Sequence, residues 1–125
     1  METKKISSAS LRNYRGSARK ARLLLDQIRG KDVVSAKNLL QFSTKKMSND
    51  IRKLLLSAIA NASQAAGKID ESTLFIESAY ADEGITMKRM ILAIKGMAYT
   101  IRKRHCHITL NLGQKIQEDT VGTKD

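Results

Sequence analysis

Three groups of residues carry side chains able to do chemistry. His105-Cys106-His107 places two imidazoles and a thiol within three positions, a pattern that invites a metal ion. A tetrahedral site needs about four ligands. The chain has 2 histidines and 1 cysteine in all, so the set cannot be completed from those residue types. On a strand both histidines share one face, and His107 then meets a neighbouring strand or a polyanion. Cys106 falls on the other face as a small buried residue. Asp82-Glu83 resembles a catalytic carboxylate pair, but neighbours on a strand point to opposite faces and cannot share a substrate. The third group is Arg15, Arg19, Arg22 and Arg29, spaced along one stripe of a helix. A guanidinium matches a phosphate with two parallel N–H donors, so this stripe points to phosphate contact rather than catalysis.

Positioning such a stripe requires a helix. Ser17 suits an N-cap, Ala18, Ala21, Leu24, Leu25 and Ile28 recur at helical spacing, and Gly30 suits the residue after the end. Residues 7–15 before it suit an extended edge segment. A second short helix is expected near 33–42, with Ala36, Leu39 and Leu40 inward and Phe42 closing its end. A third is expected from a cap at Ser43 or Thr44 to about Ala66, stopped by Gly67. Its apolar stripe is Met47, Ile51, Leu54, Leu55, Ala58, Ile59, Ala62 and Ala65. This boundary puts Lys45 and Lys46 in the first turn, where the helix dipole disfavours cations. Either nearby phosphate or a later helix start would remove the conflict.

From Thr73 the period changes to that of strands. Over Thr73 to Glu83, Leu74, Ile76 and Tyr80 point one way and Phe75, Ala79 and Ala81 the other, so the inner face is undecided. Cys106, Ile108, Leu110 and Leu112 alternate with His105, His107, Thr109 and Asn111, which reads as a half-buried strand. The basic, methionine-rich stretch between them suits the arms of a long hairpin. The expected fold is α+β: three helices packed on a small three-stranded antiparallel sheet, with an extended β-hairpin at about 80–104. A single domain is expected over 1–113, followed by a flexible polar tail over 114–125.

The 125 residues include 23 Lys and Arg against 12 Asp and Glu, a formal net charge of +11. Such an excess repels itself unless a polyanion neutralises it. It is laid down in blocks: net +10 over 1–53, −4 over 54–86, +6 over 87–112 and −1 over 113–125. Aromatic residues make up 4% of the chain, too few for a stacking platform on single strands, so folded RNA is the better partner. The lone cysteine excludes an intrachain disulfide and fits a reducing compartment. Residues 1–10 carry no secretory pattern, and no apolar run approaches the ~20 residues of a membrane helix.

Several short motifs occur in order: Ser17-Ala18-x-Lys20-x-Arg22, Ile28-Arg29-Gly30-Lys31, Ser57-Ala58-Ile59-Ala60-Asn61-Ala62, Asp82-Glu83-Gly84, Met87-Lys88-Arg89 and Lys103-Arg104-x-x-His107-Ile108-Thr109. Together they resemble the bacterial-type large-subunit ribosomal protein twenty-two family, over roughly residues 8–112. The resemblance implies the same α+β fold, binding of large-subunit rRNA early in assembly, neighbouring ribosomal proteins as partners, and a hairpin tip facing the nascent peptide in the exit tunnel. It implies a ribosomal location in the cytoplasm, or in an organelle, with no membrane and no small-molecule substrate. Where the family pattern reads Met-Pro-Arg-Ala-x-Gly-Arg-Ala, this chain has Ile91-Leu92-Ala93-Ile94-Lys95-Gly96-Met97-Ala98. The tip therefore offers fewer phosphate contacts and more apolar surface.

The expected function is structural, not enzymatic, with no cofactor and no metal. The expected RNA contacts are Arg12, Arg15, Arg19, Lys20, Arg22, Lys31, Lys45, Lys46, Lys88, Arg89, Lys95, Arg102, Lys103 and Arg104, against the alternative that some are merely solvated. Asn61 either caps, packs or binds. The competing readings are an interaction protein outside ribosomes and a DNA-binding regulator built on residues 17–29 and 33–42 as a helix-turn-helix. Against the regulator, the second of those helices contributes only Lys37.

Overall fold

The computed structural model describes residues 2–67 and 69–116. Its elements run β1 (Glu2–Arg15), α1 (Ala18–Ile28), α2 (Val33–Gln41), α3 (Ser48–Ala66), β2 (Leu74–Leu92) and β3 (Ala98–Ile116), with single 3-10 turns at Glu71–Thr73 and Ile94–Gly96. The sheet order is β1-β3-β2 and every pairing is antiparallel. Three helices on one face of a three-stranded antiparallel sheet is the expected α+β arrangement. Strand β1 starts at residue 2, earlier than the expected 7, and β3 continues through 114–116, where a tail was expected. Residues 117–125 of that tail lie outside the described residues.

The core forms where the apolar stripes meet. Ala21, Leu24, Leu25 and Ile28 of α1, Val33, Ala36 and Leu40 of α2, and Ile51, Leu55, Ala58 and Ala62 of α3 are buried against Ile108, Leu110 and Leu112 of β3. Each large side chain stabilises the fold by about 1.5–3 kcal/mol on burial. Helix α1 lies on β2 and α3 on β1, while α2 packs mainly on α3. Leu39 and Ile59 are half-buried, Ala65 is exposed, and Phe42 closes α2 while remaining 78% exposed.

Two helix starts differ from expectation. Ser17 occupies the N-cap position of α1, but its hydroxyl makes no capping bond. Helix α3 begins at Ser48, because Ser43 Oγ accepts the Lys45 N–H in a local turn and Ser48 Oγ donates to the Lys45 carbonyl at 2.7 Å. Lys45 and Lys46 thus precede the helix, and the dipole conflict disappears. Gly30 and Gly67 end α1 and α3 at φ +81° and +77°, backbone that favours glycine.

The ambiguous face of β2 is explained by a bulge. Register slips between Ile76 and Ser78, so Leu74 and Ile76 face the helices before it and Ala79 and Ala81 after it. Tyr80, read as sharing a face with Ile76, is 44% exposed on the other side. Two further bulges flank the hairpin root. Arg12 and Asn13 of β1 sit opposite His107, and Gly84 and Ile85 of β2 sit opposite His105.

Candidate nucleic-acid interface

All fourteen cations expected to contact RNA are exposed. Among the described residues the ion pairs are Arg29–Asp26 and Lys37–Glu71, each at 2.7 Å, and neither employs one of the fourteen. The fold distributes them unequally. Arg15, Lys20, Lys45, Lys46, Arg102 and Arg104 line one cleft of about 880 Å³, with Tyr14, Gly16, Ser17, Leu23, Leu24 and Met47. No carboxylate residue is among its lining residues.

Four elements build this cleft. The end of β1 supplies Arg15, the first turn of α1 supplies Lys20, and the turn before α3 supplies Lys45 and Lys46. The hairpin root supplies Arg102 and Arg104. Those two share the parity of Cys106, Ile108 and Leu110, so they occupy the helix-facing side of β3 after the helices have ended. The stripe that is apolar under the helices becomes cationic beyond them. The root is pinned at one point, the Arg104 carbonyl. It accepts the Gly16 N–H at 3.1 Å and Arg15 Nη1–H at 3.0 Å.

Tyr14 forms part of the cleft floor. Its hydroxyl donates to Asp50 Oδ2 at 2.5 Å, which joins β1 to α3. Burial, followed by this bond and the Asp50 charge, pushes the phenol up to about 12. A methyl-sized group on Gly16 would push aside the flexible end of Met47 and crowd the Tyr14 ring, so β1 approaches the α3 turn closely here. Tyr14, Gly16 and Met47 were not among the expected site residues. Their role depends on a contact between distant segments that no local spacing signals.

A smaller cavity of about 370 Å³ adjoins the first through Ser17 and Arg104, and adds Arg19, Glu83, Thr86 and His105. Lys88 pairs with Arg102 across the hairpin and shares its face. Arg89 and Lys103 lie on the opposite face, and Arg89 Nη1–H donates to the Lys88 carbonyl at 2.9 Å. Arg12 lies at the β1 bulge, Lys31 between α1 and α2, and Lys95 at the hairpin tip with φ 64°.

The expected arginine stripe divides, because Arg15 ends strand β1 and does not belong to α1. Arg22 Nε–H and Nη2–H both donate to the Ala81 carbonyl, at 3.1 and 2.8 Å. Arg29 grips the Ala79 carbonyl in the same way, at 3.0 and 2.6 Å. Both guanidiniums therefore hold the outer edge of β2. The Gly30 N–H donates to the next carbonyl along, Ile76, at 3.0 Å. Covering an edge blocks pairing with another strand.

The histidines also serve the backbone. His107 Nδ1 accepts the Asn13 N–H at 3.0 Å, where Asn13 stands at φ 55° in the β1 bulge. His105 Nδ1–H donates to the Ile85 carbonyl at 3.0 Å in the β2 bulge. Cys106, between the two histidines in sequence, is buried on the opposite face of β3, and burial raises its thiol. Asn61 Nδ2–H donates to the Ser8 carbonyl at 3.0 Å, and Ser7 Oγ–H donates to the Ala58 carbonyl at 2.8 Å, fastening α3 to β1. Asp82 and Glu83 pair with His107 and Cys106 respectively and so face opposite ways, as expected.

Comparison with known proteins agrees with this architecture. Residues 9–113 match the family model described as ribosomal protein L22p/L17e. The chain is 44% identical over 112 residues to the large ribosomal subunit protein uL22 of Flavobacterium johnsoniae, covering 88% of this chain and 82% of that protein.

Proposed function

The chain belongs to the ribosomal protein L22p/L17e family, and from that premise we propose that it is a structural component of the large ribosomal subunit that anchors large-subunit rRNA. The observation that carries this reading is the set of fourteen exposed cations outside the ion pairs of the described residues. Their charge is available to an external polyanion, and RNA phosphate binds such surfaces by releasing its counterions. The family is one of structural ribosomal components rather than enzymes. The body supports assembly, and the hairpin reaches into the exit tunnel with its apolar tip towards the nascent peptide. Neighbouring ribosomal proteins are further partners, and the protein works in the cytoplasm within the ribosome.

The regulator reading fits the geometry less well. Gly30 N–H donates to the Ile76 carbonyl, and Ile76 N–H donates to the Lys31 carbonyl, so the turn between α1 and α2 is joined to the sheet. Sedimentation tests the proposal. The protein should co-migrate with large subunits through a high-salt wash, and its RNA cross-links should fall on the exposed cations. A free protein that shifts duplex DNA with sequence preference would overturn the reading.

A further inference from the structure

Resting on the rRNA-binding reading, we infer that the cleft between the body and the hairpin root clamps a run of backbone phosphates from one RNA strand. Six of the fourteen cations converge there although their segments are far apart in sequence. Like charges gathered in a concave site repel one another, and low-dielectric walls concentrate their field. Within the cleft lining no carboxylate offsets them, and the nearby Asp50 is engaged by Tyr14. An anion of matching charge inside the cleft would relieve that repulsion. A phosphodiester carries one negative charge, so six cations call for several consecutive phosphates rather than one isolated anion.

The lining also identifies the part of the nucleic acid recognised. Tyr14 is its single aromatic residue, and that ring is fixed between Asp50 and the Gly16 turn. Without an open stacking platform the cleft reads backbone rather than bases. Three arginines and three lysines supply both forked donors and mobile point charges. Lys20, Lys45 and Lys46 belong to the body, whereas Arg102 and Arg104 belong to the hairpin root. One strand of phosphates in the cleft therefore ties the two parts together.

Binding of the full chain to large-subunit rRNA, titrated over a range of salt, tests this. A cleft variant, Lys45→Gln with Arg102→Gln, is compared with an equal-charge variant at exposed cations outside the expected contacts, Lys5→Gln with Lys53→Gln. All four positions are exposed, so both variants keep the core. The cleft variant should reduce the slope of log affinity against log salt by about two, roughly one per lost phosphate contact. The other variant should reduce it by less than about one by the same reckoning. Equal reductions would overturn the cleft assignment while leaving rRNA binding intact. Native protein without salt-dependent rRNA binding would overturn the underlying reading instead. In a second measurement, inorganic tripolyphosphate should protect Lys20, Lys45 and Lys46 from acetylation more than Lys31 and Lys95. Uniform protection would count against a localised site.

Discussion

Tyr14 illustrates how a single residue links the site to stability. Its hydroxyl bond to Asp50 joins β1 to α3 beneath the basic cleft. A bond to a charged acceptor contributes about 1.5–3 kcal/mol, and partial exposure puts this one near the lower figure. Tyr14→Phe should therefore destabilise the protein by about 1–2 kcal/mol near neutral pH, read from urea unfolding. The pH dependence has a definite sign. The folded phenol titrates near 12, above its ordinary 10.0, so the fold favours the neutral form. That contribution is complete below 10.0 and is lost as pH rises towards about 12. The stability gap between native protein and Tyr14→Phe should narrow between about pH 10 and about pH 12. A constant gap over that interval would show that the bond does not govern this titration.

At the scale of elements, the edges of the sheet explain what the α1 arginines do. Strand β2 is an edge strand, and α1 occupies its Ile76, Ala79 and Ala81 carbonyls with Gly30, Arg29 and Arg22. Removing both side chains, in Arg22→Ala with Arg29→Ala, should cost about 1–2 kcal/mol per arginine in unfolding experiments. It should also expose the edge to pairing between copies, detected as concentration-dependent sedimentation. A variant that stays monomeric with unchanged stability would show that these arginines do not hold the edge. Sequence spacing placed Arg22 and Arg29 on one helix face but did not reveal that β2 lay across it, because helix-to-strand docking is a tertiary fact. The core was far more legible. Leu24, Leu25, Leu55 and Leu110 follow the periods of helix and strand, and those periods directly encode a buried face. Strand β2 was misread after Ile76 because a bulge breaks the period of two without a local residue signal. The cleft was half legible. The parity of Cys106 places Arg102 and Arg104 on the helix side, but only the fold brings Lys45 and Lys46 opposite them.

Across the whole molecule, support is unevenly distributed. As far as His105 the sheet has three strands, whereas from Thr86 to Arg104 β2 and β3 continue as a two-stranded ribbon. A two-stranded hairpin alone is marginal in water. This one exposes Met90, Ile91, Leu92, Ile94, Met97 and Tyr99, so its apolar surface has no cover within the described residues. Its tip also holds Lys95 in left-handed backbone, at a cost of about 1–2 kcal/mol. The ribbon should therefore be the least protected part of the free sheet. Hydrogen exchange should be fast at Met87–Leu92 and Tyr99–Lys103, and slow at Ile108–Leu112, where helices cover the strand. Assembly into large subunits should slow exchange in the ribbon far more than in the body, because only the ribbon lacks a covered face beforehand. Equal protection of the two regions in the free protein would mean that the hairpin is stable without its surroundings. Lys95→Gly separates backbone from charge at the tip. It should relieve the left-handed strain and slow ribbon exchange in the free protein, while incorporation into subunits stays normal because the cationic cleft lies at the other end of the hairpin.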